Sequence, residues 1–558
     1  MSAARSCYIA GLLLFSVVFL KNAWVSDDAY ILFRSLEQLL EGHGPRWNPH
    51  ERVQVFTCPL WYWLLAAAGT LHRDHYLNSI MLSAVCNVLL LWNLQRILAH
   101  AGLWLLAIVV LVFSQAFFDF TTSGLENALA YCLLSFVARF HLNREQLPPA
   151  KALLYGCMAA GLLLVTRHDL LLFVLPPLLH SFWCNRSAGS SLLPAALALA
   201  MPLALWTLFS LAYYGFPLPN TAYAKLGIDI PRAWLIERGA SYFGTSVWRD
   251  FISVAVLPAG LLAGLLSRHA ALRSLALGIA LHLAYVVWIG GDFMRGRFFS
   301  WDVLLCTIAL LYPLRDASRL RQRSTAALLA IAAGISWVLW EPPLVTPLRW
   351  GAEPFRMPDT ANGVTQERHF FFHFTALWKA LQRDTPLLHD HGWCQDSLEQ
   401  QRQQLPVTAA YNMGFRGYCL GTGHIVVDLL GITDPLLARM PRHPADEKWR
   451  PGHVKRLVPA GYCASLATGS NRLADPETAQ FYDRLRLLTA GEPLLGRERL
   501  LAIWQMNTGA YREQLARIQQ GLVADALQGG SIQQQATVDC PLVELPPTVI
   551  EQLKKTAD

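Results

Sequence analysis

The chain has 558 residues, 54% of them hydrophobic and only 15% charged, against roughly 25% charged residues in an ordinary globular protein. That length excludes a single ordinary soluble domain, and the apolar excess excludes a wholly soluble protein. The formal charge of +7 does not point to nucleic acid, because the Arg and Lys residues fall mostly in short links between apolar runs, where membrane topology places them.

Up to about Trp340 the chain is a series of apolar runs, and from Glu341 onward it is rich in Arg, Gln, His and Pro. This break predicts a transmembrane catalytic domain over 1–341 and a soluble domain over 342–558, the latter expected to be α/β. The first run, Cys7–Val25, follows Arg5 and lacks a small-x-small cleavage site, so it reads as an uncleaved first helix. Further spans are expected at Leu77–Leu98, Leu103–Phe118, Asn127–Leu142, Ala152–Val165, Leu170–Trp183 and Ser191–Tyr213. Four more are expected at Phe251–Leu266, Ser274–Gly290, Phe298–Leu314 and Thr325–Trp340. Pro59–Leu71 has about 13 residues, too few to cross roughly 30 Å of hydrocarbon at 1.5 Å per residue.

Charge supports leaving Pro59–Leu71 out of the count. The links on one side then hold Arg5, Arg96, Arg139, Arg144, Lys151, Arg186, Arg268, Arg273, Arg315, Arg319, Arg321 and Arg323. That pattern predicts about 11 transmembrane helices, a cytoplasmic N-terminus and an outer C-terminal domain. Four of the 11 cysteines (Cys394, Cys419, Cys463 and Cys540) lie in the polar part, where two disulfides with three alternative connectivities fit an oxidising compartment.

The outer links collect the membrane-edge ionisable residues, which are functional candidates because charge is costly near hydrocarbon. Asp27-Asp28 follows the first span, and two adjacent carboxylates repel, so one can be a base poised to take a proton. The bland alternative is a solvated pair capping the next helix. That helix carries Ile31, Leu32, Leu36, Leu39 and Leu40 at a spacing expected to lie flat on the membrane. Glu126 stands at a helix start, where a carboxylate also serves as a dipole partner. Arg167, His168 and Asp169 separate two apolar runs, with mutual pairing as the alternative to a substrate role. Lys225 can hold an anion as a point charge. In Gly290-Gly291-Asp292-Phe293-Met294-Arg295-Gly296-Arg297, two guanidiniums beside glycines suit a phosphate; an Asp292–Arg salt bridge is the alternative. His389-Asp390-His391 is too isolated to read as a metal site, and no metal or other cofactor is expected.

Asp27-Asp28-Ala29-Tyr30, followed by Asn48-Pro49, Glu51-Arg52-Val53 and Thr57-x-Pro59-Leu60-Trp61, resembles the GT-C class of polyprenyl-phosphate-sugar glycosyltransferases. More narrowly, the set resembles the terminal β-(1→2)-arabinofuranosyltransferases of mycobacterial cell-wall arabinan. The similarity continues through Ser123-Gly124-Leu125-Glu126, Pro219-Asn220-Thr221-x-Tyr223-Ala224-Lys225 and Gly290-Gly291-Asp292-x-Met294. In the polar part it includes Val427–Pro435, Trp449-Arg450-x-Gly452-His453-x-x-Arg456 and Pro459-x-Gly461-Tyr462. Arg167-His168-Asp169 departs from the Arg-Pro-acid pattern of the family.

The resemblance implies a bacterial inner-membrane enzyme with its site facing the periplasm. Asp27 or Asp28 would be the base, and Arg295, Arg297 or Lys225 would stabilise the leaving phosphate; Glu126, Arg167, His168, Asp169 and Asp292 would complete the substrate site. The donor would be a polyprenyl-phosphate-linked sugar, with D-arabinofuranose favoured, and the acceptor a glycan or a pilin-like protein. A surface-glycan or pilin enzyme using another pentose or a hexose is the alternative within this class. A lipid or sugar transporter is the alternative outside it, disfavoured because no internal repeat accompanies the one-sided acids.

Overall fold

The computed structural model describes residues 3–187, 189–226, 230–340, 342–345, 360–361, 363–382, 388, 390–444, 446 and 452–528. Of the residues singled out above, His389, Trp449, Arg450 and Cys540 lie outside the described residues.

Each of the eleven expected apolar runs contributes a helix. They are α1 (Ala3–Asn22), α4 (His75–Leu98), α5 (Ala101–Phe113), α7 (Asn127–Leu142), α8 (Pro149–Leu164), α9 (Leu171–Cys184), α10 (Gly189–Tyr214), α13 (Phe251–Leu265), α14 (Ala270–Trp288), α15 (Ser300–Leu311) and α16 (Arg319–Leu339). Among the described residues, six helices are long and apolar enough to cross a membrane. A seventh span is possible by length if α12 (Arg232–Trp248) and α13, bent by 114° at their junction, act as one. Helices α5, α7 and α8 are apolar but shorter. This is the helical architecture of a membrane protein.

Two details go beyond the sequence reading. The run over Leu103–Phe118 breaks at Ser114, whose hydroxyl accepts from the Phe117 amide at 3.2 Å and starts the short α6 (Gln115–Phe118). A buried Asp250 carboxylate fastens the same break, accepting from the Ser114 hydroxyl at 3.1 Å and the Ala116 amide at 2.8 Å. The link 215–250 holds α11 (Asn220–Leu226) as well as α12.

Compactness divides the chain differently from hydropathy. One unit comprises Met1–Ser26, Tyr76–Ala204 and Arg232–Gln382; the other comprises Asp27–His75, Leu205–Pro231 and Arg383–Asp558.

In the first unit α15 is buried along nearly its whole length. Close crossing is allowed by Gly260 of α13, where a Cβ would stand 2.2 Å from the Cys306 carbonyl oxygen; small residues let apolar helices approach in this way. The segment after α6 is a hub. The Asp119 carbonyl accepts from the Trp24 indole at 2.7 Å, and the Ser123 carbonyl accepts from the Ser26 amide at 2.9 Å. Strand β1 (Thr360–Ala361) pairs antiparallel with β2 (Val364–Thr365). Thr365 in turn bonds the glycine-rich loop, donating to the Phe293 carbonyl at 2.7 Å and accepting from the Arg295 amide at 2.9 Å.

The second unit contains α2 (Asp27–Leu40), α3 (Pro59–Leu71), α11 and a small βαβ element. There β3 (Val407–Ala410) and β4 (Ile425–Asp428) are parallel, and the helix Gly414–Leu420 connects them. Its core gathers Val407, Ala409, Val427, Leu436, Tyr462, Phe481 and Leu485. Among the described residues of 342–558, the expected α/β part, the strands are two short pairs, β1–β2 and β3–β4, among helices. Helix α3 keeps the bounds and the short length read from sequence.

The polar face of α2 is not turned to water. Arg34, 1% exposed, stacks on Trp47 at 4.7 Å and donates to the carbonyls of Trp47, Gly417 and His424. Gln38 donates to the Thr422 carbonyl at 2.6 Å. Helix α2 is therefore gripped by protein on the side that the amphipathic reading assigned to solvent.

Cys394 and Cys419 are disulfide-bonded, which selects one pairing among the possibilities the sequence left open. Both should resist alkylation in the native full-length chain until reductant is added. Alkylation of either without reduction, read by peptide mass, would contradict that pairing.

Candidate functional site

The first unit brings five of the expected residues into one alternating chain of charge. Glu126, at the start of α7 and 3% exposed, offers Oε1 to two guanidiniums: Arg167 Nη1 at 2.8 Å and Arg297 Nη2 at 3.1 Å. Arg167 also grips Asp169 with two parallel bonds, Nε to Oδ1 at 2.9 Å and Nη2 to Oδ2 at 2.7 Å. Arg297 lies 3.8 Å from Asp292 through Nη1 and Oδ2. The order is Asp169, Arg167, Glu126, Arg297, Asp292.

The local chain explains this convergence. A short 3-10 turn (His168–Leu170) lets Arg167 fold back onto Asp169, and Gly296, with φ +76°, turns the chain into Arg297. Aromatic faces complete the arrangement, since the Arg167 guanidinium lies 4.8 Å from the Trp301 ring and 5.2 Å from Phe298. Such stacking suits a guanidinium because it is planar and weakly hydrated.

Burial alone would raise the pKa of Glu126, but Arg297 and then Arg167 outweigh it and hold the carboxyl below its usual range. Asp169 is likewise raised by burial and brought below its ordinary value by Arg167. Burial lowers His168, against the pull of Asp169. His168 makes no side-chain hydrogen bond in this network among the described residues. Each of the pairing alternatives posed for Arg167 and Asp292 is thus realised geometrically.

A second charged group shares the unit. Asp119 pairs with Arg368 at 2.7 Å, and Arg295 donates to Gln366. Burial raises Asp119, while Arg368 and Arg295 pull it down. Sequence reasoning missed Asp119 and Arg368. Asp119 sits at the edge of an apolar run, and its partner lies in a polar stretch with no local signal.

The remaining expected residues, Asp27, Asp28 and Lys225, belong to the second unit. Asp27 opens α2, and its Oδ1 accepts from the Phe415 amide at 2.7 Å, at the start of the helix Gly414–Leu420. Only glycine fits at 414, because a Cβ there would stand 1.9 Å from the Asp27 carbonyl oxygen. Arg416 pairs with Asp396 at 3.1 Å, leaving Asp27 with electrostatic help from that guanidinium but no ion pair of its own among the described residues. Asp27 is therefore pushed up to about 7, by burial first and by the charge of Asp28 in addition, against the Phe415 hydrogen bond. Tyr30 packs on Phe33, Phe415 and Tyr418, fixing the first turn of α2. Lys225 is exposed near the end of α11, its stem running beside Gly452.

Other motif residues of this unit build turns. Asp428 accepts from the amides of Leu430 at 2.9 Å and Thr433 at 2.7 Å, and Asp434 accepts from those of Leu436 and Leu437. Asn220 donates to the carbonyls of Gly431, Ile432 and Asp434, each at 3.0 Å, tying two motif segments together. Among the described residues no group of three or more His, Cys, Asp or Glu side chains is placed to hold a metal.

Glu126→Gln keeps the shape and removes the charge that two buried guanidiniums share. Breaking a buried ion pair from one side typically costs about 3–5 kcal/mol, so a markedly lower melting temperature is expected in detergent. An unchanged melting temperature would show that the network carries no stability.

No family model matches the sequence. The chain is 26% identical to the terminal beta-(1->2)-arabinofuranosyltransferase of Corynebacterium glutamicum, over 80% of this chain and 75% of that protein. It is 25% identical to the Mycobacterium tuberculosis protein of the same name, over 79% of this chain and 82% of that one. Among solved structures it matches ArnT from Cupriavidus metallidurans in the apo state at 14% identity and a TM-score of 0.49, covering 77% of this chain and 87% of that chain. The resemblance to arabinofuranosyltransferases drawn from scattered motifs thus holds along most of the sequence.

Proposed function

We propose that this chain is an integral-membrane glycosyltransferase that moves a sugar, D-arabinofuranose, from a polyprenyl-phosphate donor to an acceptor hydroxyl outside the inner membrane. The observation that carries the reading is Asp27: a buried carboxyl in the most specific of the family-like motifs, held by the Phe415 amide and pushed up to about 7. Similarity to two proteins named as arabinofuranosyltransferases supports the sugar class. The acceptor in this reading is a cell-envelope glycan or a pilin-like protein.

In the proposed reaction Asp27 takes the proton of the acceptor hydroxyl as its oxygen attacks the anomeric carbon. The bond to the donor phosphate breaks in line, inverting that carbon and leaving polyprenyl phosphate. Asp28 is the neighbouring charge that tunes Asp27. Arg295, Arg297 and Lys225 are the cations assigned to the phosphate, work of the kind that often dominates transition-state stabilisation. Glu126, Arg167, Asp169 and Asp292 then act by holding Arg297 in place, and His168 contacts substrate. The hydropathy boundary at 341/342 marks the passage from membrane to periplasm in this proposal. The Cys394–Cys419 disulfide supports an oxidising compartment for the polar part.

Two experiments test this reading. With a lipid-linked pentose donor, Asp27→Asn should lose at least about 100-fold in transfer, the usual scale for a positioned base. The carboxyl is protonated below its pKa and cannot accept a proton, so wild-type turnover should rise with pH and level off above about 7. Asp28→Asn removes a charge that raises Asp27, so its profile should shift to lower pH. Full transfer by Asp27→Asn would sink the assignment. For topology, an impermeant thiol reagent applied outside should label Glu41→Cys but not Asp316→Cys in a Cys184→Ser background. The reverse labelling would overturn the orientation.

A further inference from the structure

The first unit contains a cavity of about 460 Å³ where the C-terminal ends of α7 and α9 meet the start of α8. It lies at the far end of α7 from Glu126. The lining residues on α7, Val137 to His141, lie 11 to 15 residues beyond Glu126, about 16–23 Å at 1.5 Å per residue, so the cavity is separate from the charged network described above.

Its lining includes the apolar side chains of Val137, Phe140, Leu153 and Leu178. His141 on the wall is held through Nδ1 by the Ser181 hydroxyl at 2.9 Å and through Nε2 by the Ser274 hydroxyl at 2.8 Å. Arg144 also lines the cavity, half-buried, and makes no side-chain hydrogen bond or ion pair among the described residues. Lys151 and Arg186 directly adjoin the lining residues Ala152 and Asn185. Against these cations stands Glu145, which also lines the cavity and is exposed to solvent.

An apolar slot with an uncommitted guanidinium at its rim, at the basic ends of apolar helices, matches one chemistry: acyl chain inside, phosphate at the mouth. Basic pockets between membrane helices recognise anionic headgroups in this way. Taking the chain as a membrane protein, we propose that this cavity binds an anionic phospholipid, with Arg144 on the phosphate and the acyl chain against α7 and α8.

The test is native mass spectrometry of the full-length protein, released from detergent after equilibration with equal phosphatidylglycerol and phosphatidylcholine. Wild type should retain phosphatidylglycerol in preference. Arg144→Ala should reduce that preference about fivefold, the scale of one cation near a phosphate. Gly156→Leu should abolish the adduct by filling the slot, since a Cβ there meets only Phe140 Cβ, at 3.7 Å. Equal retention of both lipids, or an unaltered preference in both variants, would overturn the proposal. Displacement of the adduct by millimolar inorganic phosphate alone would overturn the choice of a lipid over a free anion.

Discussion

A carboxylate taken out of water costs several kcal/mol unless it takes a proton or gathers cations, and the acids of this protein divide along that line. Glu126 gathers cations: two guanidiniums share one of its oxygens, and it is held anionic. Asp27 has the Phe415 amide, a nearby like charge and an arginine already paired with Asp396, so its proton is retained until about pH 7. The two environments suit different work. A carboxyl locked between arginines is a poor proton acceptor and a good strut, whereas one that ionises near neutrality matches the requirement for a general base.

Most of the helical scaffold was legible because continuous apolar runs leave few alternatives: Asn127–Leu142 and Pro59–Leu71 have the bounds read from sequence. What escaped depended on partners far along the chain. The polar face of α2 looked solvated because Trp47, Gly417 and His424, which bury Arg34, carry no mark of that role. The pairing of Asp119 with Arg368 spans nearly half the chain and crosses the composition break. The break at Ser114 depends on Asp250, again distant in sequence.

The candidate site residues were easier to name than to connect. Glu126, Arg167, Asp169, Asp292 and Arg297 were each chosen because charge at a membrane edge needs a reason. Their order in the network could not be read, because it follows from the 3-10 turn at His168 and the left-handed Gly296. The family-like segment Val427–Pro435 uses its acids Asp428 and Asp434 in turn-building.

The central claim is a single displacement on a sugar carried by a lipid phosphate, with one base and no covalent intermediate. The most direct measurement is the anomeric configuration of the transferred sugar, by NMR, together with the identity of the spent carrier. The proposal predicts an anomer opposite to that of the donor and release of polyprenyl monophosphate. Retention of the donor's configuration, or turnover with a soluble nucleotide sugar and none with the lipid-linked donor, would contradict it.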